Sequence, residues 1–239
     1  MPCACSLDEL RAARQLGASK AWLVATSESR VMDAVMGAPG EVRIVTALSG
    51  SPLSCLDVRG MAREAHVGGM AVVANAGVTG LFGCAYGQLG ADLTTVKLKE
   101  GLTLVAAADV WLSERMSSLA HLVSTCGPSI EDAEALHAQL ESGARGWRRQ
   151  SDVAQVAASY LRCHPSVGEV RYPGLKGDPS FSVAARTLQS GFGPLVDYRR
   201  KDADGWCRVA CDTDDAKALV MELELRLMAL AVGDGSHAS

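Results

Sequence analysis

Apolar and polar positions follow two different periods along the chain, and the changes of period mark its elements. In roughly the first 150 residues, short apolar runs bounded by glycines and polar residues predict buried strands. Between them, segments with apolar residues at helical spacing predict helices. The strands are predicted at residues 21–25, 42–48, 70–74, 92–98 and 102–110, and the helices at 6–16, 27–36, 57–67, 113–123 and 127–139. This alternation predicts an α/β fold with a doubly wound, mainly parallel sheet.

The pattern changes beyond a further helix, which is predicted at residues 151–161. Strands are predicted at 167–172, 194–198 and 206–210, with helices at 180–189 and 214–225. Such strands favour a small antiparallel sheet with helices on one face. The sequence therefore predicts two domains, a large one over residues 1–148 and a small C-terminal α/β domain over residues 149–239.

Composition and charge narrow the classes of partner. The chain has 239 residues, of which 48% are hydrophobic and 21% charged, with a net charge of −4. A slightly acidic chain lacks the basic surface that binds nucleic acid or acidic membranes. The apolar runs are shorter than a membrane span, and the first residues do not resemble a signal peptide. We therefore expect a cytoplasmic protein with no nucleic-acid or membrane partner.

The eight cysteines are scattered along the chain. In a chain of this length the scatter favours reduced thiols over a disulfide framework. Neither Cys3 and Cys5 nor Cys207 and Cys211 have a second pair at the spacing of a zinc site. No metal site is predicted.

Candidate chemistry is concentrated in residues 68–101. Asn75 follows one predicted strand, and Lys97, Lys99 and Glu100 lie at the end of the next. Ligands of open α/β sheets bind at the carboxyl ends of strands, so these side chains are candidate site residues. Two simpler readings stay open: Asn75 bonds its own backbone in a turn, or the charged residues are a solvated strand end.

Several segments carry a resemblance to one family. The sequence HPSVGEVRYPGL at residues 164–175, Gly-Phe-Gly at 191–193 and Gly-Ala-Asp at 90–92 resemble motifs of the Cys/Met-metabolism family of pyridoxal-phosphate (PLP) enzymes. That family includes cystathionine synthases and lyases and acylhomoserine sulfhydrylases. The resemblance implies a fold type I, PLP-transferase-like three-layer domain, here truncated, and a strand at residues 230–232. It extends from about residue 21 to 239, and the family's opening phosphate-binding segments have no counterpart in the sequence.

The residues that would handle the cofactor differ from the family pattern. Ala74 stands where the family has the aspartate that keeps the pyridine nitrogen protonated, and Ser51 where it has an asparagine near the ring. Without a gap, Lys97 and Lys99 stand at the family's two hydroxyl residues and Glu100 at its cofactor lysine. Adjacent strand positions face opposite sides, so a bulge would be needed for Lys99 to replace that lysine.

Two functions follow from this resemblance. In the first, the chain is a degenerate, non-catalytic relative that binds no cofactor and acts as a partner subunit or binding protein. In the alternative, it is a PLP-dependent carbon–sulfur lyase or acylhomoserine sulfhydrylase-type transferase with Lys99 as the catalytic lysine and Ser51 and Asn75 at the cofactor. For both we expect a homo-oligomer or a hetero-complex with a related full-length chain, because apolar surface of the large layer is left uncovered.

Overall fold

The computed structural model describes residues 5–37, 40–108 and 117–233. Caps and apolar periods place the elements close to the predicted positions: Ser6 and Ser27, for example, cap the first two helices. The first part of the chain forms α1 Leu7–Leu16, β1 Lys20–Val24, α2 Glu28–Met36, β2 Val42–Val45, β3 Leu48–Ser49, β4 Ser54–Cys55, α3 Val58–Val67, β5 Ala71–Asn75, a 3-10 helix Tyr86–Leu89, β6 Leu93–Lys99, β7 Leu102–Ala107 and α4 Ser117–Thr125. The predicted ends at residues 109–110 and 113–116 lie outside the described residues.

The main sheet has five strands in the order β1-β7-β6-β5-β2. β2, β5 and β6 pair in parallel, whereas β7 pairs antiparallel with both β6 and β1. Four of the five strands therefore run in the same direction. The predicted α/β class with a mainly parallel sheet is confirmed, and β7 is the strand that makes the sheet mixed.

Each face of this sheet is covered by its own hydrophobic core, which gives three layers. Ala74 and Val96 lie in the core shared with α1, α3 and α5, a later helix over Ile130–Cys163. Val73 and Leu93 lie in the core shared with α2 and α4. Because strand side chains alternate between faces, neighbouring residues of β5 enter different cores.

The predicted strand over residues 42–48 is interrupted after Val45. Leu48–Ser49 pairs instead with Ser54–Cys55 as a two-stranded hairpin. The strand ends because the backbone N–H of Ala47 donates to the hydroxyl of Tyr86 at 3.1 Å and not to a neighbouring strand.

One helix replaces the two that were predicted between residues 127 and 161. α5 runs without interruption over Ile130–Cys163, 34 residues, or about 50 Å at 1.5 Å per residue. No proline lies within it. The helix continues through its two glycines. At Gly143 a side chain would be too close to a neighbour, because an added Cβ would lie 2.6 Å from the Phe82 ring. The predicted domain boundary after residue 148 lies inside α5 and stays a prediction.

The C-terminal part is built on a three-stranded antiparallel sheet, as predicted. Its elements are β8 Val167–Arg171, α6 Phe181–Thr187, β9 Leu195–Arg200, β10 Trp206–Ala210 and α7 Ala216–Gly233, with the sheet order β10-β9-β8. The second half of α5 and α7 share a core with this sheet.

Two expectations for this part are wrong. α6 does not cover the small sheet, because its buried Ala184 packs with Leu48 and Cys55 of the β3–β4 hairpin. Residues 230–232 are not a strand but belong to α7. The run from Ala216 is rich in alanine, leucine and methionine, which favour helix, and contains no glycine before Gly233.

None of the helices within the described residues is long and apolar enough to cross a membrane.

Candidate functional site

The candidate site lies at the edge of the five-stranded sheet where β1, β2, β5 and β6 all have their carboxyl ends. β5 ends at Asn75, and β6 runs past it because Thr95 is the register partner of Asn75. Hydrogen bonds join the strands at this edge: the buried Thr103 hydroxyl of β7 donates to the carbonyl of Thr26, just after β1, at 3.0 Å. A crevice at such an edge is the usual ligand position in open α/β sheets.

The amino end of α2 also points to this edge, since α2 follows β1 directly. Exposed backbone N–H groups and the helix dipole make such an end attractive to anions. In this chain, side chains of the protein itself occupy the amino end of α2. Ser27 Oγ accepts from the N–H of Arg30 at 3.4 Å, and Glu28 is the first helical residue. Glu28 Oε1 accepts from the buried Thr95 hydroxyl at 2.8 Å. A carboxylate therefore already lies where an external anion would be attracted.

Asn75 is half-buried and shapes the turn that leaves β5. Its Oδ1 accepts from the N–H of Gly77 at 2.8 Å, a side-chain-to-backbone turn of the kind that asparagine favours. The simpler reading, that Asn75 bonds its own backbone, is therefore seen in the structure. Asn75 still lies at the carboxyl end of β5, on this edge of the sheet.

Tyr86 is the buried polar centre of the edge, and sequence reasoning missed it. Its hydroxyl accepts from Ala47 N at 3.1 Å, lies 3.1 Å from Thr79 Oγ1 and donates toward the carbonyl of Asn75 at 3.4 Å. Burial raises the pKa of Tyr86 to about 12, so the phenol stays protonated near neutral pH. A single tyrosine in a glycine-rich loop has no spacing signal that would have identified it.

The three charged residues that end β6 are all in ion pairs. Lys97 Nζ lies 2.6 Å from Glu100 Oε2, and Lys99 Nζ lies 2.9 Å from Asp132 Oδ1. Asp132 belongs to the capping box of α5, in which its side chain bonds the N–H of Ser129. The β6–β7 register shifts between Lys97 and Lys99. An irregularity of the kind that the alternative requires therefore lies next to Lys99, but the Lys99 amine is paired with Asp132 of α5.

The pairs also shift proton affinities at this strand end. The hydrogen bond from Lys97 lowers the pKa of Glu100, and the same bond raises the pKa of Lys97. The hydrogen bond from Lys99, with that of the Ser129 backbone, lowers the pKa of Asp132. These shifts favour the charged forms of Lys97, Glu100 and Asp132.

Ser51 lies elsewhere, in the exposed turn between β3 and β4. The neighbouring Gly50 carbonyl accepts from Arg208, and the N–H of Leu53 donates to Asp197 Oδ2 at 2.7 Å. Arg208 and Asp197 are on the small sheet, so this turn is the contact between the two sheets. Ser51 thus belongs to the junction and has no direct contact with Asn75 or Lys99 in the described structure.

The junction contains an ion pair between a buried carboxylate and an exposed arginine, which the sequence did not reveal. The carboxylate of Asp197 is fully buried and accepts from Arg208 Nε at 2.7 Å and Nη2 at 2.8 Å. The hydrogen bond to Asp197 raises the pKa of the Arg208 guanidinium. Three donors on one carboxylate compensate its loss of hydration.

A cavity of about 630 Å³ opens between the loop after Asn75 and the middle of α5. Its lining is mostly polar and includes Gln139, Arg145, Arg149 and Asp214. Arg149 pairs with Asp214 across the opening, whereas Arg145 has no polar partner among the described residues. The described part of the chain has no group of three or more side chains able to hold a metal ion.

The structure therefore brings the three candidate residues to three different places. Asn75 is at the crevice, and Ser51 is at the contact with the small sheet. Lys99 is four residues beyond Thr95, the partner of Asn75, and thus about 13 Å farther along the strand at about 3.3 Å per residue. Its amine is bound to α5 and is not directed back along the strand to Asn75.

Comparisons with known proteins identify the family. The family model "Cys/Met metabolism PLP-dependent enzyme" matches residues 44–236. The chain is 33% identical over 121 residues to the cystathionine gamma-synthase of Mycobacterium bovis, covering 48% of this chain and 31% of that protein. It is 27% identical over 154 residues to a putative cystathionine gamma-lyase of Streptomyces coelicolor, covering 61% of this chain and 39% of that one. Each match spans less than half of the relative's length.

The fold of the chain is similar to that of a solved PLP-family structure. Apo CalE6, a methionine gamma lyase from Micromonospora echinospora, superposes with a TM-score of 0.70 at 16% identity, covering 82% of this chain and 68% of that chain. The fold type I, PLP-transferase-like architecture expected from the motifs is thus confirmed. The match of the family model over most of the sequence shows that this chain belongs to the Cys/Met metabolism family of PLP-dependent enzymes.

Proposed function

We propose that this chain is a non-catalytic member of its family that acts as a binding protein or as a partner subunit. The observation that carries the proposal is the position of Lys99, whose amine is held by Asp132 at 2.9 Å, beyond the sheet edge. A lysine can form an imine with an aldehyde only as a free, unprotonated amine. Lys99 is committed to a carboxylate instead.

The described residues do not fit PLP. The cofactor needs a carboxylate beside its ring nitrogen, and Ala74 is fully buried among apolar side chains with no acidic group in its place. It needs an anion site for its phosphate, and the end of α2 carries the carboxylate of Glu28. It needs a lysine at the position occupied by Glu100, which is paired with Lys97.

The cavity beside Asn75 supports the binding half of the proposal. It is concave and is lined by two arginines. Arg149 is paired with Asp214, whereas Arg145 has no ion-pair partner among the described residues. Gln139 adds an amide that can donate and accept hydrogen bonds. A small polar ligand with an anionic group fits this lining better than an apolar one.

For the partner half of the proposal, a second copy or a related full-length chain is the partner we propose, because most soluble oligomers are built from copies of one chain.

Covalent labelling tests the proposal. The purified chain is incubated with PLP, reduced with borohydride and digested, and labelled lysines are mapped by mass spectrometry. We expect no stoichiometric label on Lys99 and no yellow colour before reduction, because its amine is paired with Asp132 and lies away from Asn75.

Two variants make this measurement decisive. Lys99→Ala removes the candidate amine, and Lys97→Ala removes a lysine of similar exposure on the same strand. Stoichiometric labelling that is lost in Lys99→Ala and kept in Lys97→Ala would overturn the proposal. It would instead support the carbon–sulfur lyase or acylhomoserine sulfhydrylase-type alternative with Lys99 as the catalytic residue.

A further inference from the structure

The last helix, α7, has two apolar faces, and only one of them is covered. Leu219, Leu223 and Leu227 are buried against the small sheet. On the opposite side, Met221, Leu225 and Met228 are exposed by 58%, 66% and 56%. Large apolar side chains are normally exposed singly, so three on one face of one helix indicate a contact surface.

The spacing of these residues is that of a coiled coil. Ala218, Met221, Leu225 and Met228, here called the α7 seam, are separated by three, four and three residues, which are alternating a and d positions. At 3.6 residues per turn they form a narrow stripe about 170° from the buried leucines. The contacts of α7 with the small sheet are made by Leu219, Leu223 and Leu227 on the other face. Those contacts therefore do not explain why the seam is apolar at coiled-coil spacing.

The charges beside the seam select a partner. Lys217 and Glu222 lie on opposite flanks of the stripe, at a g and the following e position. In a parallel pair of identical helices, g of one helix faces this e of the other, so Lys217 meets Glu222 twice. The Lys217 side chain has no partner in the described structure, and Glu222 has only an exposed intrahelical pair with Arg226.

The antiparallel alternative is disfavoured by the same charges. Antiparallel helices pair e with e, so centring them on the seam places Glu222 opposite Glu222 of the second copy. Glu224, the other acidic flank residue, is unavailable, because it accepts from Tyr160 and lies 3.2 Å from His164 of α5.

We propose that the α7 seam is the interface of a parallel, two-fold homodimer in which Lys217 of each copy pairs with Glu222 of the other. This interface lies on α7, the helix that covers the small C-terminal sheet. It does not depend on what the candidate site binds. For the homodimer it takes the place of the expected contact through the large layer, so disrupting the α7 seam alone should leave a monomer.

Analytical ultracentrifugation of the full chain tests the interface. We expect a mass that rises with concentration in the micromolar range from 25.0 kDa toward twice that value. Leu225→Glu places a charge in the seam and should leave a monomer at all these concentrations. Val67→Glu, at a position exposed by 86% on α3, is the matched control and should behave as the unchanged chain.

A charge exchange tests the parallel arrangement. Lys217→Glu and Glu222→Lys should each weaken dimerisation by about tenfold, because two attractive pairs become repulsive. The double variant should restore the dissociation constant to within about threefold. Circular dichroism of each variant checks that α7 remains helical.

Three results would overturn the proposal. The unchanged chain could be a monomer throughout the range, or Leu225→Glu could dimerise as well as the unchanged chain. Loss of dimerisation in both single variants without recovery in the double variant would exclude the parallel pairing. The ultracentrifugation test does not use the labelling of Lys99 or the Lys99 variants. A result against the α7 seam therefore leaves the proposed function standing.

Discussion

Ala74 is the residue at which the family's chemistry and this chain's packing conflict most directly. It is fully buried beside Val72 and Val96, in a core of aliphatic side chains. A carboxylate at this point needs a cationic partner, and in the family that partner is the cofactor ring. Without the ring, a small apolar residue is the stable choice for this position.

Ala74→Asp tests this reasoning. We expect it to lower the free energy of unfolding by about 3–5 kcal/mol at pH 7, because an unpaired charge enters an apolar core. Burial raises the folded-state pKa of the new carboxyl, so the loss is full above that raised pKa, shrinks as the pH falls from it toward the unfolded value of about 3.9, and is smallest below about 3.9. Urea unfolding at pH 7 and pH 3 measures both values.

Ala74→Asn is the control, since the asparagine side chain has the shape of aspartate but carries no charge. Its loss of stability should be independent of pH. An Ala74→Asp chain as stable as the unchanged one would mean that the site can accommodate a carboxylate, and the argument against the cofactor would weaken.

Among the elements, α5 determines the position of the candidate lysine. Its capping box uses Ser129 and Asp132 to satisfy the free N–H groups of the first turn. The same Asp132 binds Lys99, so the amino end of the helix is joined to the end of β6. One carboxylate therefore stabilises the helix and neutralises the candidate lysine.

Asp132→Asn should separate these two roles. The amide oxygen can still cap the helix, but the ion pair to Lys99 is lost, and we expect a loss of about 0.5–1 kcal/mol at pH 7. The folded-state pKa of Asp132 is lowered, so its contribution is present above the unfolded pKa and disappears as the pH falls through the folded pKa. The difference between variant and unchanged chain should thus vanish in strong acid.

Thermal unfolding at several pH values measures this effect. Glu100→Gln removes an exposed pair that is not part of a cap, and its effect on stability should be smaller than that of Asp132→Asn. Equal losses for the two variants would contradict the coupling between Asp132 and the helix end.

At the scale of the whole molecule, α5 packs against both the main and the small sheet, and Asp197 and Arg208 join the small sheet to the β3–β4 turn. Asp197 on β9 accepts from Arg208 on β10 and from the N–H of Leu53 in the β3–β4 turn. The Gly50 carbonyl of that turn accepts from Arg208 as well. The turn that contains Ser51 is thereby fixed to the small sheet.

Asp197→Ala should cost about 1–3 kcal/mol of unfolding free energy, because it removes the buried acceptor of the Leu53 N–H and of two Arg208 donors. Arg208→Met should cost more, about 3–5 kcal/mol, because it leaves Asp197 as a fully buried charge without its cationic partner. Urea unfolding followed by far-UV circular dichroism compares the two. A single variant that loses under 1 kcal/mol would show that this pair does not hold the junction.

The sequence by itself determined the local features of this protein. The period of apolar residues and the cap at Ser6 located most strands and helices, because both depend on neighbours within a few positions. Motifs such as the segment at residues 164–175 identified the family, and the alanine at position 74 was visible without any coordinates. The continuity of α5 was not predicted, because Gly143 is a poor helix residue until its contact with Phe82 is known.

Tertiary structure decided which of the candidate residues meet. Lys99 lies 33 positions before Asp132, and Leu53 lies 144 positions before Asp197, so neither pair follows from a local pattern. The Tyr86 hydroxyl likewise became a polar centre only when the ends of β2 and β5 were brought beside it. Packing of a long chain sets these distances, and a period of two or 3.6 residues carries no information about them.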